Sequence, residues 1–145
     1  MNFPAALRRF VDLPPSERRL ALHALRVVVW VRVRLTVSSF PTVDRITRDR
    51  PVRDAVGRHS AARIGSAVAG VSGYIPGASC LTQALAARVL LAAEGHPSTL
   101  RLGMARIDGR LQAHAWLESD GTIIVGGAGH RQFVPFESVA PSLNG

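Results

Sequence analysis

Residues 79–91 read SCLTQALAARVLL, and the reading of this stretch decides the fold. Ala, Leu and Arg are strong helix formers, no Gly or Pro interrupts them, and Ser79 stands where a helix N-cap belongs. The spacing predicts a helix over Cys80 to Glu94, ended by Gly95 as a left-handed cap. The three glycines and one proline of residues 67–78, AVAGVSGYIPGA, read as a loop leading into it.

Beyond Gly95 the period changes. Ser98 to Arg106 reads as a strand, Asp108-Gly109 as a turn, Arg110 to Glu118 as a second strand, and Asp120-Gly121 as a hairpin turn into a third strand, Thr122 to Val125. Upstream, Pro14-Pro15-Ser16-Glu17 marks a helix start, with a proline in the first turn and an acid near the positive end of the dipole. That helix is expected from about Pro15 to Leu35. Its β-branched middle, VVVWVRVRL, also fits a strand, but no turn separates it from the helical ERRLALHAL before it. One more helix is expected around Asp54 to Ser66. Helices first, then a helix on an antiparallel meander, make an α+β fold. The expected division is a basic helical N-terminal region, 1–63, and a core, 64–145.

The chain has 145 residues, 47% of them hydrophobic, which is enough for a core and argues against disorder. Its single cysteine, Cys80, excludes an internal disulfide and a Cys-rich zinc site, so neither metal nor cofactor is expected. There is no lysine, and the net charge of +8 is carried by arginine. Residues 1–63 hold 13 Arg against 5 acids, whereas residues 64–145 hold 5 of each. The opening MNFPAALRRF lacks a signal peptide pattern, and Arg26, Arg32 and Arg34 interrupt the apolar run 20–40, so a cytoplasmic protein is expected. Peripheral contact with an anionic membrane stays open. Positive charge without interleaved aromatic residues or a binding motif argues against nucleic acid.

A cysteine at a helix start lies among free backbone amides that stabilise a thiolate, and the same amides can hold an oxyanion. A lone cysteine is also a common buried hydrophobe, so this position alone leaves both readings open. A nucleophile needs a base, and five histidines are available: His23, His59, His96, His114 and His130. His114 lies on the second strand, on one face with Trp116 and Glu118 by the period of two. Trp116 reads as packing beside the histidine, and Glu118 as a partner for Arg101 or Arg106. Gly126-Gly127-Ala128-Gly129 is not followed by a helix and fits no phosphate-binding spacing.

Taken together, the segments SCLTQALAARVLLAAEGHPSTLRLGMAR and LQAHAWLESDGTIIVGG resemble the transglutaminase-like leader peptidases of lasso peptide biosynthesis. The shared features are a Cys-Leu start to a Leu/Ala/Arg-rich helix, a Gly at its end, a basic strand, and a His-Ala-Trp-aliphatic-Glu-x-Asp-Gly signature, spanning roughly Cys80 to Phe136. The resemblance implies a cysteine peptidase with Cys80 as nucleophile and His114 as general base, on a transglutaminase-like core. It also implies a ribosomally made precursor whose leader is removed, a small separate leader-binding protein that the arginine-rich Arg8 to Arg63 region could meet, and a macrolactam-forming cyclase downstream. The chain departs from the family at one position: where the family commonly has an Asp, about twelve residues beyond the His, stands Gly126. A turn centred on Asp120-Gly121 would set Ser119 opposite Thr122 and His114 opposite Gly127, with Gly126 one step away, so a backbone carbonyl in that pair, a water or His130 folding back could hold the imidazole instead. The missing carboxylate also keeps open a non-catalytic scaffold that binds precursor or partner, and the fold a transfer of the acyl group to an amine.

Overall fold

The computed structural model describes residues 3–54, 57 and 59–136. In chain order the elements are α1 (Phe3–Val11), α2 (Pro15–Val37), α3 (Phe40–Arg48), α4 (Ala61–Ser72), α5 (Cys80–Ala93), β1 (Thr99–Ile107), β2 (Arg110–Ser119), β3 (Thr122–Val125), a 3-10 turn at His130–Gln132, and β4 (Val134–Pro135). The strands form one antiparallel sheet in the order β3-β2-β1-β4. The architecture is α+β, as the element order predicts.

The stretch 79–91 is the centre of the molecule. Every residue from Ala84 to Ala92 of α5 is buried, as a helix apolar all round must be when it lies inside a fold. Helices α2, α3 and α4 and the sheet all pack against it. Leu20, Ala24, Val28 and Val31 of α2, Val43 of α3 and Ile64 and Val68 of α4 share one core with Leu85, Leu91, Ala115, Leu117 and Val125. Helices α2 and α3 of the arginine-rich N-terminal region are therefore built into the same core as the cysteine-bearing helix.

The β-branched middle of α2 is helical, as the helical sequence before it indicates. Both hairpin turns are of type I′: Asp108 and Gly109 have φ of 50° and 74°, Asp120 and Gly121 have 49° and 73°. Gly95, at φ 80°, ends α5 as expected.

Two expectations are corrected. The helix set at Asp54 to Ser66 starts only at Ala61, where the Ser60 side chain caps the Arg63 amide at 3.3 Å, and it continues to Ser72. Residues 55, 56 and 58 of that expected helix lie outside the described residues. Much of the expected loop 67–78 is thus helical. A glycine upstream, Gly65, is a contact point and not a breaker: a Cβ there would lie 2.5 Å from the Ile124 carbonyl oxygen, so α4 approaches β3 closely because no side chain intervenes. The sequence also gave no sign of α1 or α3. Helix α3 earns its place by a buried polar link, because Arg88 of α5 donates from Nη1 to Asp44 Oδ1 at 2.8 Å and to Thr47 Oγ1 at 3.3 Å.

The Arg88 side chain is 9% exposed and that of Asp44 20%, so removing one partner strands a desolvated charge. Asp44→Ala is expected to cost about 3 kcal/mol, and Asp44→Ala with Arg88→Met to recover most of that, since an apolar pair has no charge to desolvate. Urea midpoints for the two variants check this; equal midpoints would show that the pair is not the cause.

At the other end of α5, Glu94 Oε2 accepts the His59 backbone amide at 2.8 Å, and its Oε1 lies 2.8 Å from His59 Nδ1. Burial alone would raise the Glu94 pKa, but the hydrogen bonds from the His59 side chain and backbone, with the charges of His59 and His96, outweigh it and hold the carboxyl below its ordinary 4.5. A carboxyl depressed on folding stabilises the native state above its unfolded pKa and loses that contribution as pH falls through the folded one. The stability gap between the native chain and Glu94→Gln is therefore expected to narrow below pH 4.5, as read from denaturation at a series of pH values.

Candidate active site

Cys80 is the first residue of α5, half-buried against the edge of the core. Ser79 caps the helix: its hydroxyl accepts the Thr82 amide at 3.3 Å and its carbonyl that of Gln83 at 3.0 Å. Among the described residues nothing accepts from the amides of Cys80 and Leu81, so two donors stand free beside the thiol. The approach to Cys80 is held by α2, where Arg32 Nε donates to the Pro76 carbonyl at 3.4 Å.

His114 lies on β2, paired in register with Gly103 of β1. Its imidazole is fixed from three sides. The Trp116 ring stacks at 6.0 Å and the Phe133 ring at 4.8 Å. The third contact is a hydrogen bond of 2.7 Å between Nε2 and the carbonyl oxygen of Gly126. A carbonyl only accepts, so Nε2 carries the proton and Nδ1 is left as the basic nitrogen.

The register behind this contact differs from the simple hairpin. A bulge at Leu117/Glu118 makes Leu117 pair with Val125, and β3 ends there, so no β3 residue stands opposite His114. The expectation of Gly127 opposite His114 is thereby corrected, and the side chain reaches the carbonyl one residue past the strand end. Gly126 itself has φ 81°, and a Cβ on it would lie 2.5 Å from the Ala115 carbonyl oxygen and 3.1 Å from Trp116 Cα. The position that carries Asp in the family has no room for a side chain here. His130 does not hold the imidazole, since its Nδ1 lies 2.8 Å from the Gly127 carbonyl and its ring against Trp116 at 5.9 Å.

Glu118 serves Trp116 and not His114. Its Oε1 accepts the indole N–H at 3.0 Å, and Oε2 lies 3.4 Å from Arg101 Nε. Phe133 gave no signal in the sequence, because it comes from beyond β3 and touches His114 only in the folded sheet. Gly103 makes room beneath: a Cβ there would come within 3.0 Å of both Phe133 and Trp116.

The alternation along β2 sorts these residues. Ala115 and Leu117 enter the core shared with α5, while His114, Trp116 and Glu118 occupy the other face. No hydrogen bond joins Cys80 to His114 among the described residues. The imidazole thus stands on the face of β2 opposite the one that packs with α5.

Among the described residues no group of three or more His, Cys, Asp or Glu side chains could hold a metal ion, and no helix is long and apolar enough to cross a membrane. A family model described as the transglutaminase-like superfamily matches residues 21–138. No curated protein and no solved structure matches the chain.

Proposed function

Since the chain belongs to the transglutaminase-like superfamily, whose members are generally cysteine proteases or acyltransferases, we propose that it is a cysteine peptidase that removes the leader from a ribosomally made lasso peptide precursor. The observation that carries this reading is the 2.7 Å bond from His114 Nε2 to the Gly126 carbonyl, which leaves Nδ1 as a base although no carboxylate among the described residues bonds the imidazole. In this reading the imidazole is brought to the thiol in the precursor complex, where Nδ1 takes the proton of Cys80 and the thiolate attacks the scissile carbonyl. The free amides of Cys80 and Leu81 receive the oxyanion. The imidazolium then protonates the leaving amine, and water hydrolyses the thioester to return Cys80. The product is the core peptide with a free α-amine, which a separate cyclase joins to an acidic side chain.

A small leader-binding protein would act with it. The exposed apolar residues Leu22, Val29 and Val33 of α2, on the same side of the helix as Arg26, support a docking face for that partner or for an acidic leader. The second reading, a scaffold that binds precursor without cutting it, is favoured by the absence of a Cys80–His114 hydrogen bond among the described residues and by the neutral group at the third position.

Incubating the full chain with a precursor peptide and the leader-binding protein, in water and in the presence of a primary amine, separates the readings by mass spectrometry. Hydrolysis at the leader junction is the expected result. Binding without cleavage supports the scaffold, and an amine in place of water at the cut carbonyl identifies an acyltransferase.

A further inference from the structure

A cavity of about 440 Å³ opens between α3, α5 and the start of β1, away from the cysteine. Eight residues of helix separate Arg88 from Cys80, about 12 Å along the axis. The cavity size suits a small ligand. Its charge is lopsided, with Arg48, Arg50 and Arg88 in the wall against one acid, Asp44. Arg88 is 91% buried at its side chain, and its bonds to Asp44 and Thr47 all leave from Nη1. Among the described residues nothing accepts from its Nε or Nη2, so a buried guanidinium keeps donors for an anion in the cavity wall. Arg50 is held by the Trp30 ring, 5.2 Å from its guanidinium carbon, and has no acidic partner among the described residues. Phe40, Leu100 and Leu102 supply apolar parts of the same wall.

We propose that this cavity binds a carboxylate borne on an apolar body, with the carboxylate on Arg88, Arg50 and Arg48 and the hydrocarbon against Phe40, Leu100 and Leu102. Guanidinium forks match a carboxylate in two-point geometry, and a buried one discriminates strongly against a neutral amide. An acidic side chain flanked by apolar residues in a polypeptide and a short free organic acid share this chemistry. The inference is independent of peptide cleavage, because none of these groups belongs to the Cys80 and His114 site.

Calorimetric titration of the full chain with acetyl-Leu-Glu-Leu-amide, its Gln counterpart and hexanoate tests it. The Glu peptide or hexanoate is expected to bind with Kd below about 1 mM, and the Gln peptide at least tenfold more weakly. Binding of the peptide alone assigns the site to polypeptides, and of hexanoate alone to free acids. Arg48→Gln with Arg50→Gln, both exposed positions whose loss leaves the Arg88–Asp44 link in place, is expected to weaken binding at least tenfold with an unchanged melting temperature. Equal affinity for the Glu and Gln peptides, an unchanged Kd in the double variant, or no binding of either acid overturns the proposal.

Discussion

Cys80→Ala is expected to remove precursor cleavage by about a thousandfold or more while leaving the fold in place. The size follows from the role: without the sulfur no thioester forms, and neither the free amides nor His114 can replace the bond. The fold is spared because the cap that starts α5 is Ser79 and because alanine is the best helix former. Cys80 only touches the edge of the core, so the loss of one sulfur contact costs about 1 kcal/mol at most. Cleavage rates by mass spectrometry and the melting temperature are both needed. A variant that still cuts, with the native melting curve, removes Cys80 from the chemistry. A variant that fails to cut because it has melted is recognised by the second measurement.

What was legible in the sequence was local. The Ala/Leu run after Ser79, the two Asp-Gly turns and Gly95 each carry their instruction within a few residues, and α5 and the hairpins follow them. Where a residue serves a distant neighbour, the local reading failed. The expected helix contained Gly65 without a reason for glycine there; the reason is the Ile124 carbonyl, which passes where its side chain would be. Asp44 looked like one charge in a mixed segment, and its meaning depends on Arg88, 44 residues away. Within the candidate site the same division holds. The face shared by His114, Trp116 and Glu118 follows from the period of two, and of the two arginines offered as partners for Glu118 the fold selects Arg101. The bulge that puts one extra residue, Ile124, into β3 opposite Leu117/Glu118 and the arrival of Phe133 on the imidazole depend on tertiary packing. For the acceptor on His114 the sequence left a backbone carbonyl, a water or His130 open, and only the fold selects the Gly126 carbonyl, because a backbone carbonyl has no residue type.

That acceptor leads to the last expected result: Gly126→Asp will not restore a triad and will instead remove the contact that orients His114. The family pattern makes the aspartate look like a repair, but the backbone forbids it. With φ at 81°, any L-residue at 126 is strained by about 1–2 kcal/mol. The new Cβ would lie 2.5 Å from the Ala115 oxygen, which is backbone within β2 and cannot swing aside. Either the segment after β3 moves away, taking its carbonyl from Nε2, or β2 shifts beneath His114 itself. In both cases the tautomer that leaves Nδ1 basic loses its support, and a wrong tautomer in a nucleophile–histidine site costs on the order of 10²–10⁴ in rate. Gly126→Ala, which brings the same strain without a carboxylate, is expected to be equally impaired. Comparison of the two variants by cleavage rate, melting temperature and the pH dependence of Cys80 alkylation separates strain from charge. If the aspartate variant outperforms the alanine variant and approaches the native rate, a carboxylate can reach the imidazole after all, and the carbonyl is not what fixes His114.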